Sequence, residues 1–227
     1  MSKMAILVDG GFYRARARQL FGFSRKSPEI NADMLEAYCK KHAEAPATTG
    51  RELYRIFYYD CPPLAGTVTN PVTKEHVDLS KSATFETITK FLHSLAARRK
   101  IAIRRGKLGA GYARYTLKPK VQDALLNGRM TLTELGADDV RLDIGQKGVD
   151  MRLGLDLVEI ALKRLVDQIV LVSGDSDFIP AIKMARREGV DVILDPMGNH
   201  VPDDLMEHVD GVQSFCGDGM FTDNKTP

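Results

Sequence analysis

Apolar positions in this chain come in short runs separated by longer stretches of helical periodicity. The runs are AILV (5–8), LYRIFYY (53–59), IAI (101–103), IVLV (169–172) and VDVIL (190–194). Their length and β-branched or aromatic content predict strands. Between them, NADMLEAYCKKHAEA (31–45) opens on Asn31, a good helix N-cap. SATFETITKFLHSLAARRK (82–100) places Phe85, Ile88, Phe91, Leu92 and Leu95 on one helical face. RLGLDLVEIALKRLVDQ (152–168) is apolar all round, which predicts a helix packed between layers. FIPAIKMARREG (178–189) ends in a glycine suited to a C-cap. Strands alternating with helices predict an α/β domain of three layers, α/β/α, with a central parallel sheet.

Two stretches break that rhythm. Residues 61–80 hold three prolines and read as a long surface loop. Residues 98–146 read as a basic insertion with glycine-rich turns and a β-ribbon. The expected organisation is one domain over 1–216 carrying that insertion, followed by a disordered tail, 217–227.

Aspartates fall at the ends predicted to carry chemistry. In an open parallel sheet, ligands bind beyond the carboxyl ends of the strands. AILVD ends in Asp9, RIFYYD in Asp60, and IVLVSGDSD in Asp175 and Asp177. Asp150 follows Gly148 at the start of a buried helix. Each alone has an ordinary reading as a turn residue or helix cap. Together on one edge they form a repelling set whose pKa values should rise unless a cation is present. Carboxylate donors without His or Cys favour Mg²⁺ or Mn²⁺ over zinc. The five histidines show no spacing matched to these motifs and read as surface or packing residues.

Composition narrows the partners. At 227 residues, 44% hydrophobic and 27% charged, the chain is an ordinary globular sequence with a net charge of only +2. The three cysteines form no C-x-x-C pair, which points to a reduced, cytoplasmic setting rather than a disulfide framework or zinc site. No apolar run approaches membrane-spanning length, so no membrane partner is expected. The charge is uneven. Residues 98–120 hold nine Lys/Arg and no acid, with Tyr112 and Tyr115 among them, whereas residues 121–177 hold eleven Asp/Glu against six Lys/Arg. A solvated surface ribbon would account for the basic run alone. Beside a carboxylate centre it reads as a grip on a phosphate backbone, with tyrosines to stack on bases, and a single strand reaches such a cleft more easily than a duplex. The expected contacts are Arg104, Arg105, Lys107, Arg114 and Tyr115, joined by Lys147 and Arg152 on either side of Asp150. A P-loop and a G-x-G-x-x-G fingerprint are both absent.

ILVDGGF, FYYDCPP, QKGVDMRLGLDL and LVSGDSDFIPAIKMARREGVDVIL resemble, in order, segments of NYN-domain proteins, a branch of the PIN-like ribonucleases. The resemblance runs from residue 4 to about residue 215, with 101–143 the least diagnostic part. It implies a PIN-like fold and a metal-dependent phosphodiesterase that cuts RNA. By position, Asp9, Asp150, Asp175 and Asp177 match the metal-binding and catalytic carboxylates, Asp60 joins them as a further metal ligand, and Ser173 matches a small hydroxyl residue before the acidic pair. Many relatives carry Asn shortly after the first Asp, where this chain has Phe12. A non-catalytic RNA-binding or regulatory module of the same fold is the alternative. A phosphatase of the haloacid-dehalogenase type would need D-x-D after the first strand, where this chain has DGGF.

Overall fold

The computed structural model describes residues 2–20, 30–45 and 50–216; the tail 217–227 lies outside the described residues. In chain order the elements are β1 (Lys3–Asp9), α1 (Gly10–Leu20), α2 (Ala32–Glu44), β2 (Glu52–Asp60), β3 (Thr67–Thr69), β4 (His76–Asp78), α3 (Ala83–Ala96), β5 (Ile101–Arg105), β6 (Lys107–Leu117), α4 (Pro119–Leu126), β7 (Val140–Lys147), α5 (Val149–Leu162), β8 (Gln168–Val172), α6 (Ile179–Arg187), β9 (Asp191–Asp195), α7 (Asp203–Met206) and β10 (Gly211–Val212).

The chain divides into two compact units. The first comprises residues 1–60, 91–106 and 148–227. It holds a six-stranded sheet in the order β10-β9-β8-β1-β2-β5, with every neighbouring pair parallel. From β1 the chain moves one way, to β2. From β8 it moves the other way, to β9. Right-handed connections therefore place α1 and α2 on one face of the sheet and α5 and α6 on the other. The three-layer α/β/α architecture of a PIN-like fold follows. β1 and β8, which flank the point where the order reverses, are almost wholly buried from Met4 to Val8 and from Gln168 to Val172.

The second unit comprises residues 61–90 and 107–147. Its main feature is the antiparallel ribbon β6–β7, and the stretch read as a loop contains the short hairpin β3–β4. β5, read as the start of the insertion, is instead an edge strand of the central sheet.

Local signals explain most boundaries. Asn31 caps α2 by accepting from the amide of Met34. Pro180 stands in the first turn of α6, where its missing N–H costs nothing. Helix α1 escapes sequence reading because it opens on two glycines. Gly10 is there for space: a Cβ at this position would lie 2.6 Å from the Tyr58 ring and 2.7 Å from the carbonyl oxygen of Tyr59. Tyr58 is fully buried and cannot retreat. Gly10→Ala should therefore cost about 3 kcal/mol through overpacking. For a chain of this size that lowers the melting temperature by roughly 6 to 12 °C. An unchanged melting curve would show that the β1–α1 joint is looser than described.

Candidate active site

Asp9 ends β1 and stands beside Tyr59 of β2, at the carboxyl edge where the strand order reverses. The amide of Phe12, in the first turn of α1, donates to Asp9 Oδ1 at 3.1 Å. Burial pushes the Asp9 carboxyl up to about 6 against the pull of that amide, and the charges of Asp150 and Asp60 add to the rise.

The SGDSD turn leaves β8 at the same edge. Ser173 is fully buried; its hydroxyl accepts from the amide of Asp175 at 3.3 Å, and its own amide donates to the Asp195 carbonyl at 3.2 Å. Its role in the turn is thus to hold backbone. Asp175 caps a single 3-10 turn, Ser176–Phe178, by accepting from the amide of Asp177 at 2.9 Å. One aspartate of the pair is therefore a cap, and Asp175 as a whole is exposed. Phe178 and Ile182 anchor α6 in the core. Gly174 leaves room for a neighbour and does not supply a left-handed turn: a Cβ there would lie 3.0 Å from the Phe12 ring. Phe12, the departure from the family pattern, thus supplies an amide to Asp9 and a ring that packs on the acidic turn.

Asp150 lies in the first turn of α5, just after Gly148, whose φ of +75° is left-handed and suits glycine. Its carboxyl is raised by partial burial and then by the charges of Asp175 and Asp177. Asp9, Asp150, Asp175 and Asp177 therefore share one electrostatic field.

Asp60 has other partners. It is fully buried, with Arg14 Nη2 at 3.0 Å on Oδ1 and the Tyr58 hydroxyl donating to Oδ2 at 3.0 Å. Arg14 Nε also donates to the Gly10 carbonyl at 3.2 Å. A carboxylate engaged by a guanidinium and a phenol is a poor choice for an ion, and Asp60 serves better as the anchor that aims Arg14 along α1. Sequence reading missed Arg14; its only signal was an arginine one turn into a helix that begins at a strand end.

The expected phosphate contacts divide between the units. Arg104 and Arg105 close β5 in the first unit, and Arg105 stands in register with Asp60. Arg104 is committed locally: Nε donates to Asp156 at 2.7 Å, and the guanidinium lies over the Phe57 ring. Arg152 is exposed on α5. Lys107, Arg114, Tyr115 and Lys147 belong to the second unit, where Lys107 pairs across the ribbon with Lys147 and Arg114 with Asp143. The Tyr112 side chain lies outside the described residues.

The donor set suits a hard divalent cation in kind: four carboxylates, no thiol or imidazole, and two of the four raised by burial first and by neighbouring carboxylates second. Among the described residues no group of three or more His, Cys, Asp or Glu side chains is gathered closely enough to chelate an ion as it stands.

A fully buried polar group, also missed by sequence reading, supports this edge from β9. Asp195 Oδ2 lies 2.5 Å from the Tyr38 hydroxyl and 2.7 Å from His42 Nε2, and Oδ1 takes the Met197 amide at 2.8 Å and the Ser214 hydroxyl at 2.6 Å. Burial and then the Asp195 charge push the Tyr38 phenol far up, so it remains a donor. Cys39 and Cys61 are buried and stand outside any disulfide.

The NYN domain family matches residues 71–216. An uncharacterised protein, y4oD, of Sinorhizobium fredii is 39% identical over 64 residues, a stretch that covers 25% of this chain and 30% of that protein. No helix among the described residues is long and apolar enough to cross a membrane.

Proposed function

We propose, from the premise that this chain belongs to the NYN-domain family and so carries a nuclease-type PIN-like fold, that it hydrolyses phosphodiester bonds of single-stranded RNA at the aspartate edge. The observation that carries the reading is the electrostatic one. Asp9 is raised to about 6 and Asp150 is raised with it, at the switch point of the sheet, and burial together with neighbouring carboxylates is the cause. Carboxyls raised by burial and by one another cluster at functional sites, where a cation can offset their repulsion.

Asp9 and Asp150, with Asp175 and Asp177 beside them, would hold Mg²⁺ or Mn²⁺. When bound, such an ion supplies Lewis acidity: it lowers the pKa of water and neutralises charge on a phosphoryl group. The protein's own share of the chemistry is positional. The Phe12 amide and the buried wall fix one oxygen of Asp9. Ser173 and the Asp177 amide fix the turn that carries Asp175. Arg14, held by Asp60 and the Gly10 carbonyl, sets a cation at the same edge for a phosphate oxygen. Arg105 stands one strand further along for the adjoining phosphate. The ribbon residues Lys107, Arg114, Tyr115 and Lys147 of the second unit are proposed as RNA contacts in their own right, with charge for the backbone and Tyr115 for a base.

The test is cleavage of end-labelled single-stranded RNA with Mn²⁺, Mg²⁺ or EDTA, beside an Asp175→Asn variant. Cutting should require the metal and fall about 100-fold or more in the variant, since losing one charged contact to the transition state costs several kcal/mol. Retained RNA binding without cutting under any metal would overturn hydrolysis and leave an RNA-binding module of the same fold.

A further inference from the structure

Phe12 stands between two of the segments that carry the carboxylates. It lies in the first turn of α1, where its amide donates to Asp9. Its ring reaches the other segment, the turn after β8. A Cβ on Gly174 would lie 3.0 Å from Phe12 Cε2, 3.4 Å from Cζ and 3.8 Å from Cδ2, neighbouring atoms on one side of the ring. The contact leaves Phe12 only partly buried. Packing against a glycine would be served as well by leucine. A flat apolar ring that stays open to water beside groups suited to phosphate chemistry has the character of a stacking platform for a base. Asparagine, which many relatives carry in this neighbourhood, offers no such face.

The order of strands at this edge sets what lies on either side of the ring. It runs β8, β1, β2, β5. The groups that follow it are the Phe12 ring against Gly174, then Asp9, then Arg14 on Asp60, then Arg105. Phe12 and Arg14 leave α1 about 200° apart around the helix, and so turn to opposite sides of Asp9. Neighbouring strands are about 4.8 Å apart, so β8 and β2 are separated by roughly 10 Å, room for one nucleotide and the phosphate beyond it. A single strand laid across the edge meets an apolar platform, then carboxylates, then two cations. A nucleotide chain offers the matching chemistry, a flat uncharged base followed by phosphates. We infer that Phe12 is a specificity-determining residue that stacks on the nucleobase next to the phosphate addressed by Asp9. The inference rests on the reading of this edge as an RNA-cleaving site, and adds to it the side on which a base is held. Stacking accepts every base, since each has a π-face. It selects an unpaired strand, because a base inside a duplex is already stacked on its neighbours.

The experiment measures binding and so does not depend on cutting. The chain contains no tryptophan, which makes Phe12→Trp a unique fluorophore at the edge. Phe12→Leu is its counterpart: it keeps the amide to Asp9 and an apolar contact with Gly174, and has no flat face. The probes are a short single-stranded RNA and a ribose-phosphate strand of the same length without bases. Both are bound in EDTA and with Ca²⁺, and recovered uncut on a gel. The intact RNA should quench the indole emission of Phe12→Trp, and the base-free strand should not. Wild type should prefer the intact RNA, and Phe12→Leu should reduce that preference about ten-fold. Its affinity for the base-free strand should stay within about two-fold of wild type, whereas a ring that only packs the turn would weaken both strands alike.

RNA binding without quenching overturns the inference, and so does a Phe12→Leu variant that keeps the full preference or loses both strands together. Where far-UV circular dichroism shows Phe12→Trp unfolded, the leucine variant decides alone. Quenching by RNA beside a wild type that cuts under no metal leaves this inference standing and removes hydrolysis. Cutting by a wild type whose Phe12→Leu variant keeps the preference for bases does the reverse. A wild type that binds no RNA overturns both.

Discussion

Asp9→Asn is expected to remove cleavage and at the same time make the protein harder to unfold. Both effects come from one cause. The Asp9 carboxyl is raised from 3.8 to about 6, chiefly by burial and with help from Asp150 and Asp60. A raised acid is ionised less readily in the folded chain than in the unfolded one, so its ionisation destabilises the fold. The cost is absent below the unfolded value near 3.8, grows as pH rises between about 4 and 6, and is complete above the folded value. About two units correspond to a ceiling of roughly 3 kcal/mol, and partial access to water brings the realistic gain to about 1 to 2 kcal/mol. Asn keeps an oxygen for the Phe12 amide and carries no charge. At pH 8 the variant should melt several degrees above wild type, and at pH 4 the two curves should nearly coincide. Adding Mn²⁺ at pH 8 should raise the wild-type melting temperature through preferential binding to the folded state, and this gain should shrink in the variant. A variant less stable than wild type at pH 8 would show that Asp9 is well solvated and that its proposed role lacks its physical basis.

Asp195→Ala should be the most damaging single change away from that edge. The carboxylate is fully buried and has four polar partners, namely Tyr38, His42, the Met197 amide and Ser214. Alanine leaves these groups short of their shared partner in a place water does not reach, and the cost is about 3 to 5 kcal/mol. Urea unfolding at pH 7 should register it as a lower midpoint. Asp195→Asn, which keeps one acceptor oxygen, should cost less than alanine. The effect should extend to cleavage, because the Asp195 carbonyl takes the Ser173 amide at the root of the SGDSD turn. A loss under about 1 kcal/mol for the alanine variant would mean that the cluster is hydrated and dispensable.

How much of this was legible in the sequence depends on the range of the interaction. Strand ends are local, so the placement of Asp9, Asp60, Asp175 and Asp177 at one edge could be read from apolar runs stopping at an acid. The cap on α2 and the proline in α6 were local too. Pairings across the sheet were not. Asp60 and Arg14 are distant in sequence, and nothing in either segment says that the guanidinium would occupy that carboxylate. The role of Asp195 was not legible either, since its side-chain partners come from α2 and from the chain after β10. Helix α5 failed for another reason. Apolar residues on all sides suggested burial between layers, but periodicity alone does not tell a face that meets the domain's own core from one that is exposed. The helix also stops earlier than its apolar pattern, at Leu162, because the chain turns through a left-handed Arg164 to enter β8.

The parallel pairing of β1 with β8 joins Met4 to Gln168 and Val8 to Val172. Asp9 leaves the ribosome long before the strand that completes its surroundings. Until β8 has emerged, β1 lacks its neighbour on that side and the acidic turn does not yet exist. Contacts this far apart in sequence also close slowly once the chain is free. The edge is therefore assembled only once β8 and the turn after it have emerged, and a nascent chain that stops short of β8 carries the ribbon's positive charge without the full set of carboxylates assigned to cutting.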